Sequence, residues 1–176
     1  MSFKEFVLPN EIQLNDLINR VVTLGWGASD ILKAYARGDT PPFGFNKPLS
    51  VHNTLDGPVT AADLAVNSWL LNGFENIYPF ADWTIISEES IKCQDNQRQL
   101  IKHHWSWIID PLDGTKDFLQ GSENYAVHIA LAYKRKPKIG IVLIPEKNEL
   151  WFGILGSGAW CENRDGSKKN NFFSDR

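Results

Sequence analysis

Residues Trp107 to Phe118 read W-I-I-D-P-L-D-G-T-K-D-F. The apolar first residues of this stretch predict a buried β-strand that ends in the carboxylate of Asp110. Pro111 has no backbone N–H to donate to a strand ladder, so the pattern predicts that the strand stops there. A second carboxylate follows at Asp113. The sequence therefore predicts a buried strand that leads into a turn carrying two carboxylates.

The chemistry of this turn favours a bound cation. Two carboxylates about 4 Å apart, at an effective dielectric constant near 20, repel each other by roughly 4 kcal/mol. The stretch offers only oxygen ligands, which suit Mg²⁺, Mn²⁺ or Ca²⁺ better than Zn²⁺, and Mg²⁺ is the first choice. Gly114 allows close approach to the backbone, and a helical turn that starts at Thr115 can present N–H groups to a phosphate. The residues alone leave open a plain type I turn in which the aspartates cap local N–H groups.

Composition limits the class of protein. The 176 residues are 43% hydrophobic, which is enough for a single domain over residues 1–176, and the formal charge is −3. The sequence has no Lys/Arg cluster other than Lys134 to Lys138, which argues against a nucleic-acid polymer as partner. Cys93 and Cys161 have neither metal-ligand spacing nor a disulfide framework, which fits a reducing compartment. Without a signal peptide or a membrane-length apolar run, we expect a cytoplasmic protein, and a homodimer is compatible with the sequence.

Two helices are predicted before the central stretch. Asn10 is positioned to cap a long amphipathic helix whose apolar residues recur from Leu14 to Tyr35 and which ends at Gly38. Gly27 lies inside this helix, where close packing against a neighbour would explain it. A second helix is predicted after Thr60.

Three carboxylates in this first half have two readings each. Asp63, three residues after Thr60, forms a capping-box pattern and is also a candidate catalytic carboxylate. The β-prone run from Trp83 to Ile86 stops at Glu88 and Glu89. These glutamates are either solvated turn residues or a further carboxylate for the metal turn.

A β-meander is predicted after the central stretch. Bulky and small residues alternate from Tyr125 to Tyr133, which predicts a central strand with a small face against which a helix can lie. Further strands are predicted from Ile139 to Ile144 and from Glu149 to Leu155. No apolar period is evident after Gly156.

Four features in one order carry a family resemblance. They are D-G-P-V-T-A-A-D at 56–63, I-S-E-E-S at 86–90, the central stretch, and a meander that closes in G-S-G-A-W at 156–160. Together they resemble the inositol monophosphatase superfamily of Mg²⁺-dependent, lithium-sensitive phosphatases. The resemblance implies an α+β fold of the layered sugar-phosphatase sandwich type, with helices packed on a largely antiparallel sheet.

The resemblance also implies roles for individual residues. It makes Glu88, Asp110, Asp113 and the backbone carbonyl of Leu112 metal ligands, in a complete enzyme that holds two or three Mg²⁺ ions. Thr115 matches the threonine that helps to orient the attacking water, a catalytic role that Glu88 would share. With Gly114, Thr115 is also the candidate phosphate-binding segment.

Within the superfamily, two strings resemble the 3′(2′),5′-bisphosphate nucleotidase branch. These are D-G-T-K-D-F in the central stretch and P-V-T-A-A-D before the second helix. That branch usually has an aspartate three residues before this proline. Here Leu55 holds the position, and Asp56, one residue later, is the candidate water-activating base beside Asp63.

The resemblance covers only part of the superfamily pattern. Nothing after Trp160 matches the W-D motif of its second half, whose aspartate binds the second metal. A natural short protein and a truncation both fit this pattern. The implied function is Mg²⁺-dependent hydrolysis of adenosine 3′,5′-bisphosphate to AMP and phosphate, a step of sulfur assimilation. The alternatives are an inositol monophosphatase and, from another class, an inactive remnant that binds metal or phosphate. We expect the 176-residue chain to be a poor catalyst, and we expect an uncovered apolar edge or face of its sheet to favour self-association or instability.

Overall fold

A computed structural model describes residues 7–47, 49–54, 57–92 and 103–169. The helices are α1 (Leu14–Arg37), α2 (Ala61–Ile77), α3 (Glu88–Lys92) and α4 (Thr115–Leu119). The strands are β1 (Val51–Thr54), β2 (Gly57–Thr60), β3 (Trp83–Ser87), β4 (Trp105–Asp113), β5 (Ala126–Tyr133), β6 (Lys136–Ile144), β7 (Glu149–Ile154), β8 (Gly158–Asn163) and β9 (Lys168–Lys169). Short 3₁₀ turns lie at Pro9–Glu11 and Pro145–Lys147.

Seven strands form one mixed sheet in the order β3-β4-β5-β6-β7-β8-β9. Strands β3 and β4 are parallel, and every other neighbouring pair is antiparallel. The long helices α1 and α2 share one buried core with the sheet, and β1 and β2 pair as a separate hairpin. The predicted α+β architecture with a largely antiparallel sheet is confirmed.

The first helix begins later than its predicted cap. Asn10 does not cap α1: it lies in the 3₁₀ turn with φ of 54°, and its side chain accepts a hydrogen bond from the Asp82 N–H. Ile12 and Gln13 are extended, so the helix can start only at Leu14. The other end agrees with the prediction, because Gly38 adopts the left-handed conformation that closes the helix.

The two long helices pack closely where glycine permits it. A Cβ at Gly27 would lie 2.5 Å from the Trp69 ring, and the indole N–H of Trp69 donates a 2.9 Å hydrogen bond to the Leu24 carbonyl. The predicted packing role of Gly27 is therefore confirmed. No helix in the described ranges is both long and apolar enough to cross a membrane.

The central strand continues past the point where the sequence predicted its end. Strand β4 extends to Asp113, and its register with β5 shifts between Asp110 and Asp113. Pro111 lies inside this irregularity, where a missing N–H breaks no regular ladder hydrogen bond. The prediction that Pro111 stops the strand was wrong, because a bulge accommodates the proline.

The faces of β5 are used in the opposite way to the prediction. Val127, Ile129 and Leu131 are buried in the core shared with α1 and α2, so the helices lie on the bulky face. The small face, which includes Ala130, points to the other side of the sheet. Bulky side chains bury more apolar area against a helix layer, which outweighs the closer approach that alanines would allow.

The sequence also left out several strands. Strand β8 and the two-residue β9 follow Gly156, and the β1–β2 hairpin precedes α2. Their residues are mostly polar or partly exposed, so backbone pairing rather than an apolar period defines them. Within the predicted polar excursion from Ile91 to His104, residues 93–102 lie outside the described residues.

The contact at Gly27 makes a stability prediction. Helix propensity alone would make Gly27→Ala stabilising by up to about 1 kcal/mol. The clash with Trp69 should reverse this and destabilise the fold by about 1–3 kcal/mol, as overpacking does. Urea unfolding followed by circular dichroism measures the change. Asn15→Ala on the exposed side of α1 is the control, and a Gly27→Ala protein as stable as this control would contradict the packing.

Candidate metal and phosphate site

The end of β4 brings two carboxylates to one corner of the sheet. Trp107 and Ile109 are buried and anchor the strand in the core, so Asp110 emerges in a set position at its end. The N–H of Leu112 donates a 3.2 Å hydrogen bond to Asp110 Oδ1, which folds the chain back towards that carboxylate. Asp113 is exposed on the far side of the bulge.

A third carboxylate arrives from the parallel neighbour. Ser87 at the end of β3 pairs with Ile109, so Glu88 follows directly beside Asp110, and their side chains are hydrogen-bonded. The structure thus brings together Glu88, Asp110 and Asp113, as expected for a common site. Glu88 is exposed but Glu89 is only 2% exposed, so the solvated reading was wrong for Glu89. The two glutamates open α3 rather than a loose turn, which turns their side chains in different directions.

The crowding of carboxylates appears in the acidity of Asp110. Burial raises the pKa of Asp110 to about 7, and the hydrogen bond and charge of Glu88 and the charge of Asp113 act in the same direction. Only the Leu112 N–H opposes this rise. The carboxyl group therefore holds a proton near neutral pH, where a cation would compete for the same oxygens.

The donor set has the chemistry of a hard-cation site without being closed around one. Carboxylate oxygens and the nearby Leu112 carbonyl are the ligands that Mg²⁺ takes. Within residues 7–47, 49–54, 57–92 and 103–169, no three His, Cys, Asp or Glu side chains are arranged to hold an ion in this conformation. Instead, a hydrogen bond between Glu88 and Asp110 relieves their repulsion, because it requires one of the two carboxyl groups to be protonated. The residues fit a divalent cation by type, and binding would require this pair to separate.

The turn after Asp113 is built around Gly114. This residue has φ of 85°, and a Cβ at its position would lie 2.6 Å from the Asn124 carbonyl oxygen. Both constraints favour glycine, and they allow α4 to begin at Thr115 as predicted. The Thr115 hydroxyl lies 3.1 Å from the Leu112 carbonyl oxygen, which ties the helix start to the turn that carries the aspartates.

Asp63 forms the predicted capping box and also contacts the turn after β4. Its Oδ2 accepts hydrogen bonds from the Thr60 N–H at 2.7 Å and the Thr60 hydroxyl at 2.5 Å, which completes the capping box of α2. Its Oδ1 lies 3.3 Å from the Thr115 hydroxyl. The side chain is 1% exposed, and burial raises the pKa of Asp63 against the lowering effect of these hydrogen bonds. One buried carboxylate therefore links a helix cap to the corner that holds Asp110 and Asp113.

One further side chain at the corner was missed from the sequence. His128 of β5 places Nε2 3.3 Å from Asp113 Oδ2, and it is the cross-strand partner of Asp110. The alternation along β5 could have located it, because it put His128 on the small face of the strand that follows the turn. Asp56, the remaining candidate base, lies outside the described residues.

Comparisons with known proteins agree with this fold. The model of the inositol monophosphatase family matches residues 13–173. The chain belongs to the inositol monophosphatase family. Similar family members include the 3′(2′),5′-bisphosphate nucleotidase CysQ of Escherichia coli, 32% identical over 83% of this chain and 54% of that protein. They also include the Nus factor SuhB of Haemophilus influenzae, 32% identical over 83% of this chain and 50% of that protein.

A solved structure supports the fold at lower identity. The crystal structure of an IMPase/NADP phosphatase complexed with Mg²⁺ and phosphate matches with a TM-score of 0.67 and 18% identity, over 84% of this chain and 51% of that chain. The chain thus spans about half the length of the family members that it matches.

The raised pKa of Asp110 makes a prediction about the metal-free protein. Between about pH 4 and pH 7 the folded state holds more protons than the unfolded state, so stability falls as pH rises through this range. After a discount for solvent screening, we expect a loss of about 1–2 kcal/mol. Asp110→Asn should abolish this part of the pH dependence and make the chain more stable at pH 8.

Chemical unfolding between pH 5 and pH 8 in the presence of a chelator measures both effects. Glu123→Gln changes an exposed carboxylate outside the corner and is the matched control. It should leave the dependence of the unfolding free energy on pH unchanged. If the unfolding free energy of Asp110→Asn depended on pH as that of the parent does, the carboxylates would not be crowded in solution.

Proposed function

We propose that residues 1–176 form one domain, the metal- and phosphate-binding half of a Mg²⁺-dependent phosphate monoester hydrolase. The preferred substrate is a 3′(2′),5′-bisphosphate nucleotide such as adenosine 3′,5′-bisphosphate, cleaved to AMP and phosphate. One observation carries the proposal: the carboxylates of Glu88, Asp110 and Asp113 meet at the corner where Asp63 contacts the Thr115 hydroxyl.

The metal would be held by the three carboxylates and the Leu112 carbonyl. When bound, Mg²⁺ would lower the pKa of a coordinated water and neutralise charge on the phosphoryl oxygens. The hydrogen bond between Asp110 and Glu88 supports this assignment, because two carboxyl groups so close together favour either a proton or a cation between them. The Mg²⁺ and phosphate in the similarly folded IMPase/NADP phosphatase give further support.

Thr115 and Asp63 would align the attacking water. When the Thr115 hydroxyl donates its proton to Asp63 Oδ1, the threonine oxygen is left as an acceptor for a proton of that water. Burial raises the pKa of Asp63, which makes this carboxylate a stronger proton acceptor than an exposed aspartate. Because Oδ2 of the same carboxylate is held by the α2 cap, the acceptor oxygen is fixed in direction.

The phosphate group would lie against Gly114 and Thr115. Gly114 forms the left-handed turn that leads into α4, and the N–H groups at the start of that helix would be available to a phosphate. In-line attack would then occur beside the metal ligands, with negative charge on the phosphate offset by the cation.

The choice of substrate rests on the D-G-T-K-D-F string and on the CysQ relative. Inositol monophosphate is the second candidate, because the solved structures that share the fold include inositol monophosphatases. An inactive remnant would keep the carboxylate corner but lack turnover, so metal binding and catalysis are tested separately.

The metal assignment makes a binding prediction. Loss of a residue that only supports a metal ligand typically weakens metal binding roughly 10- to 100-fold. Asp110→Asn should weaken Mn²⁺ binding by more than this, because it removes the ligand that lies between Glu88 and Asp113. Thr115→Ala should leave the Mn²⁺ affinity within a few-fold of the parent. Calorimetric titration at pH 7.5 measures both, and equal affinity of Asp110→Asn and parent would reject the site.

The substrate assignment makes a kinetic prediction. The chain, fused to the unmatched half of the E. coli relative, should release phosphate from adenosine 3′,5′-bisphosphate faster than from inositol 1-phosphate, and lithium should inhibit it. The 176-residue chain alone should stay near background, because loss of one electrostatic contact to the transition state costs on the order of 10²- to 10³-fold.

Thr115→Ala in the fusion is the catalytic control, with kcat lowered and Mn²⁺ affinity kept. A preference for inositol 1-phosphate would favour the second candidate function, an inositol monophosphatase. Robust Mg²⁺-dependent turnover by the 176-residue chain alone would show that residues 1–176 contain a complete active site.

A further inference from the structure

His128 lies at the carboxylate corner but has no part in the proposed function. It is the cross-strand partner of Asp110 in the antiparallel pair of β4 and β5. Such partners have their side chains on the same face of the sheet, with Cβ atoms about 4.5–5.5 Å apart. Glu88, Asp110 and His128 accordingly line one groove. The imidazole therefore faces the same space as two of the proposed metal ligands.

The distance between His128 and Asp113 matches that between two ligands of one cation. His128 Nε2 lies 3.3 Å from Asp113 Oδ2. Donor atoms bound about 2.0–2.1 Å from a tetrahedral Zn²⁺ ion lie about 3.3 Å apart. Adjacent donors about 2.1 Å from an octahedral ion lie about 3.0 Å apart. The nitrogen and the oxygen can thus bind one ion with little change in their separation.

A simple surface ion pair is the other interpretation of this contact. The side chains of His128 and Asp113 are 46% and 62% exposed, and ion pairs with such exposure contribute little to stability. The contact therefore does little to hold the imidazole in its present position. The neighbours of His128 along its face of β5 are Ala126 and Ala130, whose small side chains leave room for the ring to turn towards an ion.

The charge of the corner favours an uncharged fourth ligand. Glu88, Asp110 and Asp113 carry three negative charges when they are ionised, which is one more than a divalent cation neutralises. A further carboxylate would add to the repulsion among them. Imidazole binds metals in its neutral form, so it adds a donor atom without adding negative charge.

We infer that His128 supplies a nitrogen ligand to the cation at this corner, so that the site binds Zn²⁺ or Co²⁺ more tightly than Mg²⁺. The inference rests on the proposed function, which supplies the carboxylate ligands. Mg²⁺ prefers oxygen ligands, whereas imidazole suits Zn²⁺ and related transition metals. The carboxylates would hold Mg²⁺ without the imidazole, and the imidazole would add affinity for the transition metals alone.

Nitrogen NMR of the histidine rings tests the ligand directly. The chain has four histidines, and the imidazole signal that is lost in His128→Gln identifies that residue at pH 7.5. One equivalent of Zn²⁺ should shift the Nε2 resonance of His128 to the position of a metal-bound nitrogen, and Mg²⁺ should leave it in place. If Zn²⁺ did not shift this resonance while Asp110→Asn still weakened Zn²⁺ binding, the inference would be overturned and the proposed function would stand.

Metal selectivity distinguishes a ligand from a residue that only positions Asp113. Loss of a positioning residue would weaken the binding of both metals, whereas His128→Gln should weaken Zn²⁺ binding by more than about tenfold and keep the Mg²⁺ affinity within a few-fold of the parent. His52→Gln changes an exposed histidine of β1 and is the matched control, which should bind both metals as the parent does. Equal losses for the two metals in His128→Gln, measured by calorimetric titration, would overturn the inference. Equal Zn²⁺ affinity of Asp110→Asn and the parent would reject this inference together with the proposed function.

Discussion

Strand β4 is held between a parallel neighbour and an antiparallel one, and this constraint determines what happens at its end. Its inward side chains are buried in the core, which fixes the backbone position from which its terminal carboxylates extend. The parallel neighbour delivers Glu88 beside Asp110, while the bulge returns Asp113 to the same corner. Repulsion between these carboxylates thus destabilises the fold, as is common where a protein binds a cation or performs catalysis.

The same corner shows how stability and proposed chemistry share residues. Asp63 closes the first turn of α2 with one oxygen and contacts Thr115 with the other, so the helix layer and the turn after β4 are joined by one buried carboxylate. The contact also explains why a capping pattern and a catalytic reading were equally good interpretations of the sequence. A local pattern identifies a helix start, but only the packing of α2 against β4 brings Thr115 within reach.

Long periodic elements and strong turn signals were predictable from the sequence. The capping box at Thr60, the end of α1 at Gly38 and the strand that delivers Asp110 follow from residue type and spacing. The errors arose where tertiary structure overrides a local rule. Pro111 stays within β4 because a bulge removes the need for its N–H, and the helices choose the bulky face of β5 because it buries more area. The contact of His128 with Asp113 depends on cross-strand register, which no local pattern specifies.

The proposed function depends on a divalent-cation site at the turn after β4. The most direct test is paramagnetic broadening of backbone amide signals by substoichiometric Mn²⁺ in the metal-free chain. We expect the amides of Leu112, Gly114 and Thr115 to broaden first and those of α1 to stay sharp. Broadening centred elsewhere, or spread evenly over exposed carboxylates such as Asp39 and Glu123, would contradict it.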